Sequence, residues 1–245
     1  MKEIKARFKK DGNVKLGKMW TFSKLMSDDT FTTIYGNVKG SCGVYCTGCK
    51  NSCYVKKSYI RWTDKSGNNQ VINCHARNTI AIRNDIKKAF DDLNKQLTRA
   101  RKKAEIVRIH QSGEIERPIE LLMWLELAKK HPETYFYTYT KNIDALRVLK
   151  QSINNGYVVP DNFTINLSVW HEYLLAEFLE EFQQYNFIKA FIYDDKQFDY
   201  ESNGLKIDTY CMAYDKSGKM NHAITCDKCR KCINSNYKTI GCYDH

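Results

Sequence analysis

Phe163-Thr-Ile-Asn-Leu-Ser-Val169, a helical stretch over 171–185, and Phe187-Ile-Lys-Ala-Phe-Ile-Tyr193 form the run that decides the fold. The first segment alternates as a strand does, and the second is apolar on both faces, as a strand covered by helices requires. The same rhythm continues toward the N-terminus. A helix over 142–153 is closed by Asn154-Asn-Gly156, a helix-stop signal. Before it stands strand Thr134-Tyr-Phe-Tyr-Thr-Tyr139. A helix opening at Pro118, carrying Ile119, Leu122, Leu125 and Leu127, ends near His131-Pro132. Strand Glu105-Ile-Val-Arg-Ile-His110 comes first in this series. Such alternation predicts right-handed βαβ units on a parallel sheet. Five or six units are too few for a closed eight-stranded barrel. The predicted class is therefore α/β, either a partial (β/α) barrel or an open parallel sheet, with a C-terminal cysteine-rich extension.

Upstream, Asn78 or Thr79 caps a long helix running to about residue 103, with Ile82, Ile86, Phe90, Leu93 and Leu97 on its apolar face. Phe31-Thr-Thr-Ile-Tyr-Gly36 reads as the strand before the first cysteines, and Tyr59-Ile-Arg-Trp62 as a short strand or more loop. The chain divides into an N-terminal extension (1–30), a parallel α/β domain (31–200) with a cluster loop (40–54), and a C-terminal segment (201–245) expected to be irregular.

The 245 residues are 42% hydrophobic and suffice for one compact core. No run of eighteen apolar residues occurs, and Met1-Lys-Glu-Ile-Lys is too charged for a signal peptide. A cytoplasmic protein is expected, not associated with a membrane. There the ten cysteines read as metal ligands or catalysts rather than disulfides. The formal charge of +11 falls to roughly +7 if two four-iron clusters of about −2 each are counted. A basic solvated surface is the plain account of the remainder. A polyanionic substrate, nucleic acid included, is the other.

Cys42, Cys46, Cys49 and Cys53 are spaced C-x3-C-x2-C-x3-C in a loop with Gly40, Gly43 and Gly48. Zinc sites favour separated C-x2-C pairs. Four thiolates crowded into one glycine-rich loop suit a polynuclear iron–sulfur centre better. At the other end, Cys226-Asp-Lys-Cys229-Arg-Lys-Cys232 has a ferredoxin-like spacing, with Cys211 or Cys242 to complete it and a zinc knuckle as the alternative.

The spacing of Cys42, Cys46 and Cys49 resembles that of radical S-adenosylmethionine enzymes. That resemblance implies a partial barrel with an open cluster and bound S-adenosylmethionine. Strand 106–110 and Ser112-Gly113-Glu114 resemble the second strand and the glycine–glutamate element that contacts the methionine amino group. Gly48 departs from the usual aromatic residue there, and Cys53 lies outside that pattern.

The chain also resembles a phage-encoded family, gene product eighty-eight. Its motif C-x6-C-x3-C-Tyr matches Cys42, Cys49, Cys53 and Tyr54. Arg108-Ile-His-Gln-Ser-Gly-Glu114, Tyr139-Thr-Lys141, the Cys211–Cys232 group and terminal His245 match its later elements. This second resemblance implies a host-cell cytoplasmic location and favours Cys211 over Cys242 as fourth ligand.

The resemblance to radical S-adenosylmethionine enzymes makes Ser112, Gly113 and Glu114 candidate cofactor contacts, while His110, at a strand end, and Asn166 and Ser168, on a neighbouring strand, are candidates by position. Cys74 beside His75 reads as a satisfied thiol. Arg99-Ala-Arg-Lys-Lys103 reads as a helix end whose cations suit the dipole. Three functions are in play, in descending order. The first is a radical S-adenosylmethionine-like enzyme with two four-iron clusters, acting on an unknown small molecule or polyanion and served by a reductant protein. The second is a non-radical iron–sulfur protein. The third is a zinc-stapled basic nucleic-acid module.

Overall fold

The computed structural model describes residues 3–10, 15–46, 49, 53–65, 67–194, 205–215, 217, 219–233 and 236–243. Its strands are β1 (Trp20–Phe22), β2 (Thr30–Thr33), β3 (Gly36–Lys39), β4 (Ile106–Ile109), β5 (Tyr135–Thr140), β6 (Phe163–Val169), β7 (Ile188–Asp194), β8 (Thr209–Tyr210) and β9 (Thr239–Tyr243). Its helices are α1 (Tyr54–Arg61), α2 (Gln70–Asn84), α3 (Ile86–Thr98), α4 (Pro118–Lys130), α5 (Ile143–Asn154), α6 (Glu172–Glu177) and α7 (Cys226–Cys229).

Seven strands form one open sheet in the order β1-β4-β5-β6-β7-β9-β8, and every neighbouring pair is parallel. From β4 to β7 each strand is added beside the last, with a helix between. Right-handed crossovers that always step the same way collect their helices on one face, and α3, α4 and α5 pack on one another in turn. On that face Phe22, Ile109, Phe136, Ile165, Leu167 and Ile192 meet Phe90, Trp124, Leu146 and Leu149. Trp124 is fully buried, with its ring about 5 Å from those of Phe22 and Phe90. Burying one such side chain contributes on the order of 2–3 kcal/mol.

All seven residues of β6 are buried, so the other face is covered as well. That inner face carries Arg108, Tyr137, Tyr139, Thr164, Asn166, Ser168 and Lys189, which alternate with the core residues and align across the strands. Its cover includes residues around Leu16 and Met19 and the C-terminal cysteine segment, since Cys226, Cys232 and Ile233 pack with Ile106 and Tyr137.

Several expectations change. The strand anticipated at 31–36 belongs to the antiparallel β2–β3 hairpin, outside the main sheet. The sheet's edge strand beside β4 is Trp20–Phe22, inside the anticipated extension, where Lys9 and Thr21 exchange two backbone hydrogen bonds of 2.8 Å. Residues 59–62 are no strand, because Tyr59 to Arg61 end helix α1. The long helix from 78 is two helices, broken where Asp85 turns extended and caps α3 by accepting from the Lys88 N–H. Asn78 and Thr79 are not caps. Asn78 lies buried within α2, donating to the Arg7 and Ser23 carbonyls and accepting from the Arg7 N–H, while Thr79 accepts from the Leu25 N–H. Their polar side chains tie α2 to the backbone around β1. The helix anticipated over 171–185 begins at Glu172 and passes at Phe178–Phe182 into a π-helical turn. The segment after 201 is not wholly irregular, because it supplies β8 and β9.

Candidate metal centres

The loop holding the first cysteines lies at the C-terminal ends of β1, β4 and β5, the edge where parallel α/β folds build their sites. Gly40 allows close approach, since a Cβ there would fall 2.0 Å from the Met26 carbonyl oxygen. Ser41 then donates twice to the Leu25 carbonyl, from N–H at 2.9 Å and from Oγ at 2.6 Å. Cys42 donates its N–H to the Ser27 carbonyl, and its Sγ accepts from the Ser27 N–H at 3.1 Å. A 3-10 turn, Gly43–Cys46, follows. The side chain of Cys46 lies outside the described residues, as does that of Tyr54. Cys49 Sγ accepts from Lys141 Nζ at 3.1 Å.

Cys53 is placed differently. It precedes α1, its thiol is 3.6 Å from Met26 Sδ, and it packs on the apolar cluster of Leu25, Met26, Val38, Val55 and Tyr59. Burial pushes this thiol above its ordinary pKa.

The Ser112-Gly113-Glu114 turn is locked onto this loop. Gly113 has φ +85°, and a Cβ there would lie 2.5 Å from Ser41 Oγ and 2.8 Å from Lys24 Cβ. The Ser112 carbonyl accepts from the Lys24 N–H, and the Glu114 N–H donates to Ser41 Oγ at 3.1 Å. The buried Glu114 carboxylate accepts from the Ile115 N–H, Thr140 Oγ1 and the Lys141 N–H at 2.8, 2.5 and 3.0 Å. Lys141 thus joins Glu114 to Cys49. Burial opposes its charge, but Cys49 and Glu114 outweigh that and hold the ammonium above its ordinary pKa. Lys141 is a site residue that the sequence reading did not single out, although a cation directly after a parallel strand was a signal.

Not every candidate joins this site. His110 adopts φ +54°, which turns its ring to the helix side between Phe22 and Trp124, with Nε2 3.1 Å from Glu120 Oε1. Asn166 and Ser168 are buried on the inner face. Asn166 donates to the Thr138 carbonyl at 3.2 Å and aligns with Tyr139 and Lys189.

The C-terminal group forms on that inner face. The α7 turn docks on the segment before β1, where the Cys226 and Asp227 N–H groups donate to the Lys15 and Leu16 carbonyls. Gly17, at φ +73°, leaves room for the Asp227 carboxylate, which accepts from the Lys18 N–H. Cys211, Cys226, Cys229 and Cys232 together line a cavity floored by Met19, Ile106 and Tyr137. Cys242 does not line it. It is buried on β9, where its Sγ donates to the Tyr243 carbonyl at 3.6 Å, and it follows Gly241, whose carbonyl accepts from the Cys211 N–H. Tyr139 Oη donates to Cys232 Sγ at 2.8 Å. The neighbouring Cys242, with Lys15 and Arg108 nearby, holds the Cys211 thiol below its ordinary pKa, whereas burial pushes Cys232 up to about 12. A cation seated here would have to displace protons, as thiolate metal sites do. Among the described residues, no three His, Cys, Asp or Glu side chains are already arranged to hold a metal ion. The cysteines surround a cavity without forming a finished coordination shell.

A family model described as Gene product 88 matches residues 5–235. The chain belongs to the gene product 88 family. The match spans both cysteine groups, from Cys42 to Cys232, and ends before Cys242. His245, aligned above with a family position, lies beyond the match and outside the described residues. No curated protein and no solved structure matches the chain. Among the described residues, no helix is long and apolar enough to cross a membrane.

Proposed function

We propose that this family member is an iron–sulfur protein with two centres, and that the N-terminal one performs radical S-adenosylmethionine-type chemistry on a substrate still to be identified. The observation that carries the reading is the cavity lined by Cys211, Cys226, Cys229 and Cys232, with Lys15 and Arg108 near its sulfurs. Soft sulfur donors around one space, with half-buried cations beside them, suit a thiolate-bound cluster of net negative charge. Cys211 is the fourth donor in this reading, and Cys242 supports it from behind.

At the N-terminal centre, Cys42, Cys46 and Cys49 would hold the cluster. The packing of Cys53 on Met26 and Val55 favours leaving it out of the ligand set, which would leave a cluster held by three cysteines. A bound cluster of this kind supplies an electron for reductive cleavage of S-adenosylmethionine. Glu114 and Lys141 offer an anion and a cation to the polar groups of a ligand seated beside it.

The test uses anaerobically reconstituted protein with S-adenosylmethionine and dithionite. Formation of 5′-deoxyadenosine is expected, abolished in Cys49→Ala and retained in Cys53→Ala. Failure of the unaltered protein to form it, with iron present, would leave the non-radical reading, in which Cys53 closes the first centre.

A further inference from the structure

The two cysteine groups are touched from one strand end. Tyr139 is the penultimate residue of β5, and Lys141 is the first residue after its C-terminal end. Tyr139 Oη donates to Cys232 Sγ at 2.8 Å, and Lys141 Nζ donates to Cys49 Sγ at 3.1 Å. Neither side chain is loosely placed. The Tyr139 ring stands edge-on to Phe191 at 4.9 Å, and the Arg108 guanidinium lies over it at 4.8 Å from the centroid. A cation over a phenol ring draws electron density from the hydroxyl and strengthens it as a donor. Lys141 is fixed by its backbone N–H on Glu114 and by its ammonium over Trp170 at 5.8 Å.

Hydrogen bonds to cysteine sulfur stabilise the extra negative charge of a reduced cluster and so raise its reduction potential. We infer that Tyr139 and Lys141 set the potentials of the two centres, Tyr139 that of the C-terminal one and Lys141 that of the N-terminal one. The inference rests on the reading that both cysteine groups hold iron–sulfur clusters. It makes the C-terminal centre a tuned redox group rather than a staple for the tail. Both residues are positioning residues in this account, acting through Cys232 and Cys49.

The experiment is a potentiometric titration of the anaerobic holoprotein followed by electron paramagnetic resonance, on the unaltered chain, Tyr139→Phe and Lys141→Met. Tyr139→Phe removes one oxygen and keeps the ring, so iron content is expected to match the parent. Its C-terminal centre is expected to titrate lower, by about 59 mV if the hydroxyl favours the reduced state tenfold, with the N-terminal centre unmoved. Lys141→Met is expected to show the reverse pattern. Double-resonance spectra should lose one exchangeable proton near the C-terminal centre in Tyr139→Phe. Unshifted potentials and an unchanged proton signal, with full iron content, would overturn the inference alone. Zinc in place of iron at the C-terminal cysteines would overturn it together with the two-cluster reading.

Discussion

Lys24→Met is expected to destabilise the protein by about 3–5 kcal/mol, the cost of stranding a buried charge after its partner is removed. Lys24 has no exposed surface, and its Nζ bonds Glu120 Oε2 at 2.8 Å and Glu116 Oε2 at 3.2 Å. Glu120 is equally buried, with its other oxygen on His110. Burial raises the Glu120 pKa, but Lys24 and His110 more than reverse this and bring it down to about 2. A carboxylate whose folded pKa lies below its unfolded value contributes stability above the unfolded pKa, and that contribution is lost as pH falls through the folded one. The loss therefore spans the range from about 4.5 down to about 2. The variant should unfold at lower urea concentration at pH 7, with Tm lower by roughly 6–20 °C. Adding Glu120→Gln should recover part of the loss, because the stranded charge is gone. No recovery would mean that packing of the lysine stem, and not its charge, dominates. The effect should reach the cysteine loop too, since Glu116 also holds Arg83, whose guanidinium donates to the Lys39 and Gly40 carbonyls.

Removal of cavity thiols is expected to have the second large effect. On the proposed two-cluster reading, Cys232→Ala should lose about half of the iron and sulfide that the unaltered protein binds, and Cys211→Ala should behave alike. Cys242→Ala should keep nearly all, because it stands behind Cys211 and outside the cavity. Tail stability should fall with the metal, since the segment that covers Ile106 and Tyr137 is the one the cysteines organise. Inductively coupled plasma analysis of the three variants decides the point. Equal loss in Cys242→Ala and Cys211→Ala would move the fourth ligand, and retention in Cys232→Ala would remove the C-terminal centre from the account.

The parallel core was legible because β5, β6 and β7 are long and patterned, and because Pro118 and Gly156 mark helix ends. Trp20–Phe22 was not, since three residues in a basic stretch give no period to read. Thr239–Tyr243 was hidden by the cysteines before it, and its Gly241 reflects packing against the Tyr210 ring, where a Cβ would fall 2.7 Å away. The single helix anticipated from 78 failed because Asn78 and Thr79 carry cap-like side chains that serve tertiary contacts instead. At the site, cysteine spacing raised the expectation of metal, and the resemblance of Ser112-Gly113-Glu114 to a glycine–glutamate element drew attention to Glu114, which the structure joins to Cys49 through Lys141. What spacing could not convey is that the C-terminal cysteines fold back onto the inner face of the sheet, or that the C-terminal end of β5 and the residue after it touch both groups. Both depend on contacts between residues more than ninety positions apart.

The most direct test of the central claim is analysis of iron, zinc and acid-labile sulfide in anaerobically purified protein, with its optical spectrum. Iron and sulfide in comparable amounts, with charge-transfer absorption that bleaches on reduction, is the expected result. A colourless protein with stoichiometric zinc and no sulfide would contradict the account.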